Sequence, residues 1–132
     1  MALLRFGNFA VEWSRLYAMH RVATDKLFLY VDAPHLPSGQ PTAPTLTVPQ
    51  IDQAWRQAMG DRHFAIFGNL AIDKARICAV SLDEDGVHGN LGFELSANRG
   101  VNLRLPAEVI SIILKSVPEP KNAGYPIAVS GP

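Results

Sequence analysis

The groups in this chain with the chemistry to hold a metal, carry a nucleophile or move a proton are four histidines, one cysteine and one run of carboxylates. A metal site needs deprotonated ligands that converge, which sequence shows as a spacing such as His-x3-His or Cys-x2-Cys. His20, His35, His63 and His88 have no such spacing, so neither a metal nor a cofactor is expected. Cys78 lies in Ile77-Cys78-Ala79-Val80, which reads as strand interior, where cysteine acts as a small core hydrophobe and not as a nucleophile. Asp83-Glu84-Asp85-Gly86 gathers carboxylates without the alternating ligands and final glutamate of a calcium loop, and Asp-Gly is a hairpin turn in its own right. Phe67-Gly68-Asn69 and His88-Gly89-Asn90 do not make the glycine-rich loop at a helix start that cradles phosphate. No catalytic residue is assigned. The enzyme reading that survives is a site assembled at an oligomer interface from His63, His88 and nearby carboxylates.

Recognition is better supplied. Aromatic residues and arginine are the types enriched at interface hot spots. Trp13 and Trp55 lie on apolar stripes that suit a core, while Arg76, Arg99 and Arg104 fall on strands that share a face if the register allows. The string Gly100-Val-Asn-Leu-Arg-Leu-Pro-Ala-Glu-Val-Ile resembles the opening of a ribbon-helix-helix repressor. That resemblance implies a dimer whose paired strands enter the DNA major groove, with Asn102 and Arg104 as outward readers. Pro118-Glu-Pro-Lys-Asn-Ala-Gly stands where that family's second helix would run. A run of four strands into a helix is also similar to a family of single-stranded-DNA binders that dimerise through the helix. Their strands are basic, whereas these carry Asp and Glu as often as Lys and Arg.

Composition bears on the same choice. Lys+Arg and Asp+Glu are 12 each, so the chain lacks the basic excess that phosphate neutralisation calls for. Zero net charge favours self-association. Only 18% of residues are charged against a usual figure of about 25%, which fits an apolar patch kept for a partner. At 132 residues and 48% hydrophobic, one domain can bury its own core. A single cysteine excludes an internal disulfide and suits a reducing compartment, and no apolar run reaches the length of a membrane span. The N-terminus lacks the basic and apolar segments of a signal peptide, so a cytoplasmic location and no membrane partner are the expectations.

The elements follow from periodicity and punctuation. Residues 9–22 suit both periods, and their content of Ala, Leu, Met, Glu and Arg favours helix, with Asn8 as its cap. Residues 26–32 read as a strand, and the prolines of 33–46 as an extended internal loop. Thr47-Val48-Pro49-Gln50 is a capping box opening a helix with the stripe Val48, Ile51, Trp55, Ala58 and Met59, closed at Gly60. Residues 63–67, 74–82, 92–96 and 100–105 read as a four-stranded antiparallel meander. Pro106 then opens a helix to Ser116 that is apolar nearly all round, although its β-branched residues also suit a strand.

The expected fold is α+β: an antiparallel meander sheet of four to five strands with two or three helices packed on one face, over residues 1–117, followed by a Pro/Gly-rich tail, 118–132. The function this supports is a small non-enzymatic binding or regulatory protein. It acts through protein–protein contact with itself as a homodimer and with an unidentified protein, and its interface candidates are Val109, Ile110, Ile113, Leu114, Val117 and Trp55. The alternative is nucleic-acid binding on the meander face through Arg76, Arg99, Asn102 and Arg104.

Overall fold

A computed structural model describes residues 3–33 and 39–119. The fold begins with two tight hairpins of the same design. Strands β1 (Leu3–Phe6) and β2 (Phe9–Glu12) are joined by Gly7-Asn8, and strands β5 (Phe64–Phe67) and β6 (Leu70–Asp73) by Gly68-Asn69. Gly7 and Gly68 have φ of +62° and +60°, the conformation that the first central residue of a type II′ hairpin turn requires. After each hairpin comes one 3-10 turn, Trp13–Arg15 or Lys74–Arg76, closed by an i,i+3 ion pair of 3.3 Å: Arg15 with Glu12, and Arg76 with Asp73.

The next strands repeat as well. β3 (Leu16–Ala23) pairs with β4 (Lys26–Val31), and β7 (Ile77–Leu82) pairs with β8 (His88–Leu95). The two pairs carry the same β-bulge, between Leu16 and Ala18 in one and between Ile77 and Ala79 in the other. β8 continues into β9 (Arg99–Pro106), with Leu91 opposite Leu103. Among the described residues the matching segment of the first half is reduced to one bridge, Leu29 to Thr42, where Pro41 and Pro44 on either side have no N–H to extend a ladder. Each half ends in a helix, α1 (Val48–Met59) or α2 (Ala107–Ser116).

The chain is therefore a tandem repeat, and the sequence carries it at an offset of 61 positions. Phe6, Gly7, Asn8, Ala10, Arg15 and Ala18 recur as Phe67, Gly68, Asn69, Ala71, Arg76 and Ala79. The hairpin registers also agree position for position: Leu3 opposite Glu12 matches Phe64 opposite Asp73, and Arg5 opposite Ala10 matches Ile66 opposite Ala71.

Several expectations are corrected. Residues 9–22 are strand, turn and strand, not helix: Asn8 is a hairpin residue, and pairing of β3 on both edges overrides the helix propensity of its residues. The meander has three strands, β7-β8-β9, because Lys74–Arg76 is a 3-10 turn and β5 pairs with β6 in another sheet. That sheet runs β4-β3-β6-β5, and β6 lies in a stretch to which no strand was assigned. The third meander strand starts at His88, four residues before Gly92. The two helices do not share one face. α1 buries Ile51, Ala54 and Ala58 in a core with Leu16, Met19 and Leu29, while α2 buries Ile110 and Ile113 in a core with Leu91, Phe93 and Leu103. The capping box is present, with Thr47 and Gln50 each serving the other's backbone N–H. From residue 120 onward the expected tail lies outside the described residues, as do 34–38 of the proline-rich loop.

Gly89 marks the closest approach of α2 to its sheet, since a Cβ there would stand 2.5 Å from Ile110. Gly89→Ala is expected to lower stability by about 1–3 kcal/mol through overpacking, read as a fall in the urea midpoint at unchanged slope.

Candidate functional site

The halves meet where β3 of the first pairs with β6 of the second: Ala18 opposite Ile72, Met19 opposite Ala71, His20 opposite Leu70. Asn69 extends the seam, its carbonyl accepting from the Arg21 N–H at 2.9 Å and its side-chain amide donating to the Arg21 carbonyl at 3.1 Å. Every residue of the three opposed pairs is buried. Burial holds the His20 imidazole below its ordinary pKa against a partly opposing bond from Asn69, so this ring sits in the seam as a neutral group.

Asp32, just past β4, clamps the same joint and is 2% exposed. Arg76 donates to it from the second 3-10 turn at 2.6 Å, and Arg99 pairs with its other oxygen. From the β8–β9 turn, the Ser96 N–H and hydroxyl donate to it at 2.9 and 3.0 Å. Arg76 also reaches the Ser14 carbonyl, so one guanidinium ties its own turn to both a strand end and a turn of the other half. Desolvation raises the Asp32 pKa, and the Arg76 and Ser96 hydrogen bonds outweigh it, leaving the carboxyl below its ordinary value.

Beside the joint is a cleft of about 430 Å³ lined by Leu4, Trp13, Ser14, Phe64, Asp61 and His63 among others. Asp61 is its polar centre, accepting from the Trp13 indole at 2.8 Å and from the His63 N–H at 2.9 Å. Desolvation pushes the Asp61 pKa up, and these donors, the His63 backbone first, bring it below its ordinary value. An Asp–His contact alone is not a nucleophile site. The one hydroxyl lining the cleft, that of Ser14, donates to Glu12. His63, just before β5, contacts Asp61, and His88, on β8, contacts Asp85. No group of three or more His, Cys, Asp or Glu side chains suited to a metal occurs among the described residues. No described helix is long and apolar enough to cross a membrane.

The three arginines among the nucleic-acid candidates are tied to carboxylates, and Asn102 to a neighbouring amide. Arg76 and Arg99 converge on Asp32, Arg104 pairs with Asp83 and Asp85 at 3.1 and 3.0 Å, and Asn102 donates to Asn90. Of the interface candidates, Ile110 and Ile113 are buried in the chain's own core, with Val109 packed against them. Trp55 packs partly on the first core, and Leu114 and Val117 are exposed. Cys78 is corrected: its place in an edge strand leaves it exposed.

What the sequence reading missed is the outer edge of β7. In the sheet β7-β8-β9 no strand lies beyond β7 among the described residues, and Cys78, Ala79 and Ser81 are exposed. The repeat would have found it, because the matching residues Tyr17, Ala18 and His20 are buried by a neighbouring strand. Comparison with protein-family models, curated proteins and solved structures finds no match.

Above about pH 5 the Asp32 carboxylate stabilises the fold in full, and that contribution is lost progressively as the pH falls through the ordinary 3.8 to the depressed folded value. Asp32→Asn is expected to cost roughly 3 kcal/mol at pH 7, measured by urea unfolding, since it leaves two guanidinium groups facing a neutral amide. The same variant should lose less stability than the parent between pH 5 and pH 3.

Proposed function

We propose that this chain is a subunit of a protein assembly, non-enzymatic, and that it acts by β-strand pairing through the outer edge of β7. The observation that carries the reading is the contrast between equivalent strands. β3 is paired on both edges and its residues from Leu16 to His20 are buried, while β7 has the same fold context and an open edge bearing Cys78, Ala79 and Val80. An open edge of small and apolar residues is a template for another strand. It carries none of the lysines or prolines that proteins use to blunt such edges, since Ile77–Leu82 reads Ile-Cys-Ala-Val-Ser-Leu. Zero net charge and exposed apolar residues on α2, Ile112 and Leu114, support association further.

The ladder shows how to block the edge without harming the sheet. The Asp83 N–H donates to His88, so the alternation of an antiparallel pair aims the Leu82 N–H away from β8. Leu82→Pro therefore removes an outward donor and leaves the β7–β8 bonds in place. Light scattering at about 50 µM is expected to give the parent chain a mass above the 14.4 kDa of one copy, and to give the variant a lower mass with the same far-UV circular dichroism. A parent chain that stays at one copy removes the reading.

A further inference from the structure

We propose that the strand seated on β7 is β2 of a second copy of this chain, delivered as the β1–β2 hairpin, head to tail and in a register that the internal joint dictates. The inference rests on the reading of the chain as a self-assembling subunit and names what that subunit takes.

The argument starts from what each half lacks. In the first half the Thr42 segment, β4, β3, β6 and β5 lie side by side, the last two being a hairpin lent by the second half. In the second half the row β9, β8, β7 stops where a hairpin should follow. The hairpin equivalent to β5–β6 is β1–β2, and among the described residues β2 pairs only with β1. Among the described residues one chain thus holds a strand edge with no neighbour and a hairpin, packed by Phe6 and Val11 on the first core, whose β2 edge pairs with no strand but β1. Translating the observed seam by 61 positions turns Ala18–Ile72, Met19–Ala71 and His20–Leu70 into Ala79–Val11, Val80–Ala10 and Ser81–Phe9, the second of each pair from the next copy.

Independent features of the internal joint have counterparts waiting at these outer surfaces. Asn69 locks the internal seam on the backbone of Arg21, whereas Asn8, which also follows a Phe-Gly turn, is exposed and its side chain has no partner among the described residues. Its mate in the new seam is the backbone of Leu82, whose N–H already points outward. Phe64 is 8% exposed in the core under α1, and its counterpart Leu3 is 67% exposed. Leu3 of the next copy would then cover the second core at the place that Phe64 takes in the first. Charge follows the strand register. Val31 opposite Leu16 matches Phe93 opposite Ile77, an offset of 62 on this strand, so Asp32 corresponds to Glu94. The Asp32–Arg76 pair across the internal joint then corresponds to Glu94 with Arg15 of the next copy, and Glu94 is exposed on β8.

Such a contact uses different surfaces on its two sides, so each added copy presents the same open seat and free hairpin again. It repeats until a ring closes or a filament grows.

The test is a disulfide that only this register can form. Ala10 and Val80 face each other as the counterparts of Ala71 and Met19, and an antiparallel pair holds its Cα atoms about 4.5–5.5 Å apart, within the reach of a disulfide. Ala10→Cys and Val80→Cys are each made in a Cys78→Ser background, checked for folding by circular dichroism, and oxidised alone and as an equal mixture. A disulfide-linked dimer in the mixture and none in either variant alone is the expected result. Self-linked Val80→Cys, which reports a symmetric β7–β7 edge, overturns the proposal. So does an unlinked mixture whose mass by light scattering exceeds one copy; that outcome leaves the assembly reading standing with a different occupant. An unlinked mixture and a single-copy mass remove both.

Discussion

Backbone N–H and C=O groups that leave water must find partners, and the pairing of β3 with β6 is where this chain meets that demand. β3 lies between β4 and β6, and the whole stretch from Leu16 to His20 is buried. A strand buried on both edges cannot be held by its own half alone. It requires the second hairpin, so the first half has a complete core only because the second half lends it β5 and β6. Asp32 fixes the angle at which this happens. Its carboxylate gathers the Arg76 guanidinium from a 3-10 turn and the Ser96 N–H and hydroxyl from a β-turn of the second half, and the two Ser96 donors have little freedom to follow a shifted sheet. The turn at Ser96 is itself held open by left-handed residues, with Ala97 at φ 59° and Asn98 at φ 57°.

That dependence is one-sided, and the one-sidedness shapes the surface. Residues that the internal joint buries are large or aromatic, such as Tyr17, Met19 and Phe64, whereas their counterparts at the outer edges are Cys78, Val80 and Leu3. Smaller side chains expose less apolar area while the chain is alone, so the outer surfaces tolerate water in a way that the inner ones do not. What the two sets keep in common is geometry: the glycine turn, the asparagine after it, the alanines that let strands approach and the arginine of the 3-10 turn.

Legibility in the sequence divided along physical lines. Local chemistry was readable. The capping box at Thr47 and Gln50, proline at the helix starts and the turn at Asp83–Gly86 are set by groups within a few residues of each other. Residues 9–22 were misread because helix propensity is a weak preference that neighbouring strands override, and those neighbours are β4 and β6, the second some fifty residues away. Asp32 showed no signal at all. A carboxylate after a strand looks solvated until Arg76, Ser96 and Arg99 are brought to it from more than forty residues away. The repeat is the exception, since Phe-Gly-Asn at 6–8 and again at 67–69, each followed by a matching run to the shared arginine, was present throughout and needed only the chain to be aligned with itself.

The halves diverge at the cleft as well. Trp13 packs edge-on against Phe64 with ring centroids 5.6 Å apart and donates to Asp61, which caps the wall of the internal joint. The repeat sets Lys74 in place of Trp13. An indole at that position seals an apolar wall and anchors it with one hydrogen bond, whereas a lysine keeps its ammonium in water and covers the wall with its stem. The internal joint is formed once, during folding, and gains from being sealed. On the β7 side no strand follows among the described residues, and the exposed Lys74 keeps its ammonium in water where an indole would leave its ring uncovered.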